Sequence, residues 1–169
     1  MPTIAEAARA DSLTCGPSRD VGQVAWQSGG ATLGTYRDGT LTIGDTRYRL
    51  LAEKSQVAVI DDATDSSVLS FTSLTHGPAT IRVANRRLRL VREHLLPVLF
   101  HVTEDVDGAS VLRILRLGRR LRFRSTDATA VLSDHDLTMV VLAATMHLLE
   151  LDVHTQAVAA PQTPSPHPM

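Results

Sequence analysis

The sequence predicts a mainly β fold, an antiparallel β-barrel or closed sandwich of roughly ten strands that ends in a largely buried apolar helix. Three observations predict it. Short runs rich in Val, Thr, Leu and Ile recur between turn residues from Val21 to Arg124. From Leu137 to Leu151 the only polar residues are Thr138, Thr145, His147 and Glu150. A chain of 169 residues that is 43% hydrophobic suits one domain with one core, and 4% aromatic content means that aliphatic side chains must build it.

Taken in order, residues 1–20 are rich in Ala, Ser and Gly and read as a disordered arm, with room for a helical turn over residues 5–10. Strand-like runs follow at Val21–Trp26 and Thr32–Tyr36. The clearest unit is TLTIGDTRYRL at 40–50. Leu41 and Ile43 alternate with Thr40 and Thr42, Gly44-Asp45 supplies a tight turn, and Tyr48 and Leu50 alternate with Arg47 and Arg49, as a hairpin requires. Further runs lie at Val57–Ile60, Val68–Thr72, Thr80–Val83, Leu88–Val91, Val98–Thr103, Val111–Leu117 and Leu121–Arg124, with turns at Asp61–Ser66, Gly77-Pro78, Asp107-Gly108 and near Gly118.

The pattern changes at Ser133. Ser133, Asp134 and Asp136 offer N-caps for a terminal helix over 136–152. That helix has almost no polar face, so it belongs inside a protein or inside a membrane. Its apolar run, 137–151, is shorter than the roughly 20 residues of a span, and its flanks are acidic without Lys or Arg. Burial within the protein is the expectation. The domain thus covers 21–153, and the Pro-broken segment 154–169 reads as a disordered tail.

Strand meanders that close on one apolar helix through the barrel characterise the tubby-like superfamily, which includes phospholipid scramblases and the LURP-one-related proteins. The chain resembles a compact bacterial member. The likeness is carried by GTLTIGDTRYRL, VAVIDDATDSSVLSF, VTEDVDGASVLRILRLGRRLRF and the final DLTMVVLAATMHLLELD. The resemblance implies a barrel threaded by its last helix and a non-catalytic role in binding phosphoinositide or another anionic lipid headgroup. The membrane-spanning tail and cysteine cluster of scramblases are not found, so it does not extend to scrambling.

Charge points to one surface. The net charge is −1, yet residues 82–124 hold eleven Arg against four acids, and 125–169 hold five acids and no Lys or Arg. In RRLRFR at 119–124, alternation sends Leu121 and Phe123 inward and Arg120, Arg122 and Arg124 outward; in RRLRLVR at 86–92 it sends Leu88 and Leu90 inward and Arg87 and Arg89 outward. Guanidinium forks match phosphate oxygens, so Arg87, Arg89, Arg120, Arg122 and Arg124 are the candidate anion-binding residues, provided that the two strands lie near each other. The alternative is a solvated face paired with acids.

Other constellations are weaker. His147, Glu150 and His154 share one side of an unbroken helix and are candidate metal ligands, but no HExxH accompanies them. DDATDSS at 61–67 lacks the Gly and Glu of a calcium loop and reads as a hairpin turn, while Asp134 and Asp136 read as helix caps. No P-loop, GxSxG or dinucleotide fingerprint occurs, so no catalytic residue, enzyme activity or cofactor is expected. Cys15 stands alone, and residues 1–20 lack an export signal, which suits a cytoplasmic protein, peripheral at a membrane if the lipid reading holds. Three readings stay open: a binding module for anionic lipid or a protein partner, a nucleic-acid-binding β-barrel using the same Arg strands, and a small-ligand enzyme or carrier with its pocket in the barrel.

Overall fold

Along most strands one set of alternate side chains is buried and the other faces out, and that alternation builds the wall. The computed structural model describes residues 1–53, 56–72, 79–94 and 98–149. Its strands are β1 (Thr14–Pro17), β2 (Val24–Ser28), β3 (Ala31–Arg37), β4 (Thr40–Ile43), β5 (Thr46–Glu53) and β6 (Gln56–Asp61). They continue as β7 (Ser66–Thr72), β8 (Ala79–Val83), β9 (Arg86–His94), β10 (Val98–Glu104), β11 (Ser110–Leu117) and β12 (Arg120–Ser125). Each pairs antiparallel with its neighbours in the sequence, and β1 pairs with β12 through Thr14↔Arg122 and Cys15↔Leu121, so twelve strands close into a barrel. Closure leaves the wall without a free edge. The expected hairpin is β4–β5, and Gly44 turns it at φ 57°, a conformation that costs glycine little.

Two helices and a short 3-10 turn complete the chain: α1 (Ile4–Arg9), the turn Asp127–Val131, and α2 (Asp134–Leu148). Ser133 caps α2, its hydroxyl accepting from the Asp136 amide at 3.1 Å. Every residue from Met139 to Met146 is buried. At 3.6 residues per turn such a run points in all directions around the axis, so the wall surrounds the helix. Leu41, Val59, Ile81, Leu88, Val102, Ile114 and Phe123 from the inner wall join Val140, Val141 and Leu142 of α2 in one core. Each fully buried aliphatic side chain contributes about 1.5–3 kcal/mol. A polar contact between Trp26 and Thr145 crosses this core. Trp26 Nε1 donates to Thr145 Oγ1 at 3.0 Å, and the Thr145 hydroxyl donates to the Val141 carbonyl at 2.8 Å, so the tryptophan N–H is buried with a partner.

The expected disordered arm over residues 1–20 is corrected by the structure. Thr3 and Glu6 form a reciprocal capping box, with Glu6 N donating to Thr3 Oγ1 at 3.1 Å and Thr3 N to Glu6 Oε2 at 2.9 Å. The α1 helix that follows buries Ile4, Ala5, Ala7 and Ala8 and packs on α2 and β12. Then Leu13 and Cys15 enter the core as β1 closes the barrel. Asp11 ties this segment down: its carboxylate accepts from the Ser125 amide at 2.7 Å and the Ser125 hydroxyl at 2.9 Å, and these bonds hold it below the usual carboxylate range. Burial pushes the Cys15 thiol well up. Twelve strands replace roughly ten, and β1, hidden in that arm, is one that the sequence pattern did not announce. The terminal helix, expected over 136–152, begins at Asp134 and is described as far as Leu148; the rest of that range and the segment 154–169 lie outside the described residues.

Candidate anion-binding face

Alternation places the arginines as the sequence suggests, one strand at a time. On β12, Leu121 and Phe123 are buried while Arg120, Arg122 and Arg124 are exposed; on β9, Leu88 and Leu90 are buried while Arg87 and Arg89 are exposed. The two strands are not neighbours. β10 and β11 stand between them, a separation of three strand spacings or about 14 Å. In a closed barrel of twelve strands each strand turns the outward direction by about 30°, so the two sets point about 90° apart. The five arginines therefore divide into two groups.

The larger group gains members the sequence reading missed. Arg113 of β11 is exposed and directly opposite Arg124, and Arg119 is exposed in the turn before β12. Arg113 was legible by alternation, since it lies between the buried Leu112 and Ile114, but only strand pairing shows that it joins Arg124. None of Arg113, Arg119, Arg120, Arg122 and Arg124 forms an ion pair among the described residues. The Asp11 carboxylate feels Arg124 but spends its hydrogen bonds on Ser125. Like charges directly opposite on a sheet repel, and among the described residues Asp11 beside Arg124 offsets only part of that between Arg113 and Arg124.

Apolar side chains are interleaved with this charge. Leu115 sits beside Arg122, and Leu117, 55% exposed, sits beside Arg120. On the other flank β1 has Gly16, where an added Cβ would stand 2.9 Å from Arg120 Cγ. The missing side chain lets the Arg120 stem lie across β1.

Several other arginines are occupied, whereas Arg19, Arg47, Arg82 and Arg89 likewise form no ion pair among the described residues. Arg49 reaches Asp62 at 2.9 Å and also bonds Asp65, which gives the Asp-rich turn 61–67 a structural task. Arg86 bonds Glu104 and donates to the Val131 carbonyl at 2.9 Å, clamping β9 to the chain before α2. Arg9 pairs with Asp134 and donates to the Leu132 carbonyl at 2.8 Å. In the β9 set, Arg87 Nε lies 3.6 Å from Asp105, while Arg89 stands between Thr80 and Thr103.

Of the candidate metal ligands, His147 lies half-buried in the last turn of α2, and Glu150 and His154 lie outside the described residues. Among the described residues no group of three ligating side chains comes together. No helix there is long and apolar enough to cross a membrane. All six aromatic residues, Trp26, Tyr36, Tyr48, Phe71, Phe100 and Phe123, are buried. The barrel interior is taken up by α2, where a carrier would need its pocket. Compared with known proteins, the chain matches no family model, no curated protein and no solved structure.

Proposed function

We propose that this protein is a non-catalytic, tubby-like binding module whose outer β11–β12 face docks on an anionic lipid surface. The observation that carries the reading is the set of five exposed arginines, Arg113, Arg119, Arg120, Arg122 and Arg124, without an acidic partner among the described residues. Unpaired guanidinium groups create a local positive potential although the whole chain carries only −1. Leu115 and Leu117 among them suit an interface that is charged at the headgroups and apolar just beneath. Burial of every aromatic weighs against a single-stranded nucleic acid, which is held largely by base stacking. The barrel threaded by an apolar helix is the architecture that the tubby-like resemblance implies, and it supports the same reading.

Flotation with anionic and with neutral vesicles at ~0.1 M salt, where the Debye length is about 10 Å, tests this directly. Binding is expected to anionic vesicles only, to weaken steeply as salt rises, and to disappear when Arg120, Arg122 and Arg124 become Ser. A parallel titration with single-stranded DNA is expected to be much weaker. Equal binding of the triple variant, or tighter binding of the DNA, would overturn the proposal.

A further inference from the structure

A second basic site lies on a different side of the barrel, where the ladder between β7 and β8 is short. These strands pair only at Ser70↔Arg82 and Phe71↔Ile81. One step further, the Thr80 amide donates to the Thr72 hydroxyl at 2.8 Å instead of to a backbone carbonyl. Beside the interrupted ladder lies a recess of about 140 Å³ on the outer wall, lined by Gln56, Ser70, Thr72, Thr80, Arg82 and Arg87 together with Phe71.

The chemistry of the lining is that of an oxyanion cradle. Among the described residues it offers two guanidinium groups, one carboxamide and three hydroxyls beside Phe71, with no carboxylate in the lining. Arg82 and Arg87 are directly opposite each other across β8 and β9, both exposed, an arrangement of like charges that destabilises a sheet unless an anion lies between them. Asp105, 3.6 Å from Arg87 Nε, takes up part of one charge, while Arg82 has no ion pair among the described residues. The Thr72 hydroxyl accepts from Thr80, so its own proton is left to donate. The Ser70 and Thr80 hydroxyls lie beside it on neighbouring rows, with no hydrogen bond into the recess among the described residues. Hydroxyls and paired guanidinium groups around a small recess suit a compact dianion with several oxygens better than a carboxylate or a chloride.

We infer that this recess binds one phosphomonoester group, held between Arg82 and Arg87 and bonded by the hydroxyls of Ser70, Thr72 and Thr80. The site is independent of the β11–β12 face. Between β8 and β12 lie β9, β10 and β11, so the two surfaces point about 120° apart. A flat charged surface spreads over the first, whereas a single phosphoryl group fits the second.

The test is a titration of the full chain with inorganic phosphate up to about 10 mM, followed by backbone amide NMR and by thermal unfolding, with sodium chloride at matched ionic strength as the control. Saturable shifts are expected at Ser70, Thr72, Thr80 and Arg82, together with a rise in Tm that chloride does not give. Arg82→Gln should weaken phosphate binding about tenfold or more and, without phosphate, leave Tm unchanged or raised because the repulsion is relieved. Ser70→Ala, a smaller change, should weaken binding while keeping the unperturbed spectrum elsewhere. Arg120→Ser should leave phosphate binding intact, which separates this site from the proposed membrane face. Displacement of phosphate by a soluble phosphomonoester alone would assign the group to a metabolite, and displacement also by vesicles of phosphatidic acid would assign it to a lipid. Absence of saturable shifts, equal shifts with chloride, or unchanged binding in both Arg82→Gln and Ser70→Ala would overturn the site.

Discussion

On β12, Leu121 and Phe123 point into the barrel and are almost wholly inaccessible, while Arg120, Arg122 and Arg124 on the same six residues, Arg120–Ser125, point out and form no ion pair among the described residues. The inner set is fixed by its neighbours: Leu121 is paired with Cys15 across the closing seam, and Phe123 with Ile114. The guanidinium groups of the outer set are fixed by no ion pair among the described residues. A side chain retained where folding does not require it is available for a partner, and the difference between the two faces is what makes the β11–β12 arginines a candidate site. Arg49, on an outer row, and Arg86, at the end of an inner row, show the opposite case, arginines enlisted in holding turns and connections together.

The largest effect should come from placing a charge on the inner side. Val141 is inaccessible and lies midway along α2. Val141→Asp buries a carboxylate with no partner, so it should cost several kcal/mol, on the order of 4. Expression as inclusion bodies, or a Tm lowered by well over ten degrees, is the expected result. A soluble variant with unchanged circular dichroism and Tm would mean that α2 does not run through the barrel.

A smaller inner effect isolates the Trp26–Thr145 contact. Thr145→Val keeps the shape but leaves Trp26 Nε1 buried without its acceptor, a cost of about 1–3 kcal/mol by urea unfolding. Trp26→Phe removes the donor at the expense of packing volume. The double variant should cost less than the sum of the two single variants, because with Phe at position 26 no N–H is left to be orphaned. Strict additivity would show that the contact adds nothing beyond packing.

What the sequence disclosed follows the same division. Alternation is local, so it showed which residues of each strand face inward, and the lack of a polar face showed that α2 is enclosed. The β4–β5 hairpin was legible because Gly44 sits where a positive φ is needed. Closure is not local. β1 has only Cys15 and Gly16 buried among its four residues, and nothing in TCGP announces that it pairs with Leu121 far along the chain. A usable signal did exist for α1, the Thr3-x-x-Glu6 spacing of a capping box, ahead of alanines too small to form an apolar pattern. Site geometry was hidden for the same reason as closure. The direction of Arg87, Arg89, Arg120, Arg122 and Arg124 could be read from alternation, but their division into two groups, the addition of Arg113 and the recess beside Arg82 depend on strand order and on a short β7–β8 ladder.

The smallest effects, and the sharpest comparison, lie entirely on the outside. Arg49 and Arg122 are both exposed on outer rows, yet Arg49 bonds Asp62 and Asp65 whereas Arg122 stands between Thr14 and Leu115 with no acid in reach among the described residues. Because its pairs are exposed and screened, Arg49→Ser should cost only about 0.2–1 kcal/mol. Arg122→Ser removes a positive charge from among Arg113, Arg120 and Arg124 and should leave stability unchanged or raise it by up to about 0.5 kcal/mol. Urea unfolding at low salt and at ~0.5 M salt separates the two, since screening shrinks both effects and they have opposite signs. Should Arg122→Ser destabilise the fold as much as Arg49→Ser does, the β12 arginines would be part of what holds the barrel together, and their exposure would no longer argue for a partner. An Arg122→Ser variant that is at least as stable as the parent but no longer floats with anionic vesicles would place the two faces of one strand in separate roles, the inner for folding and the outer for binding.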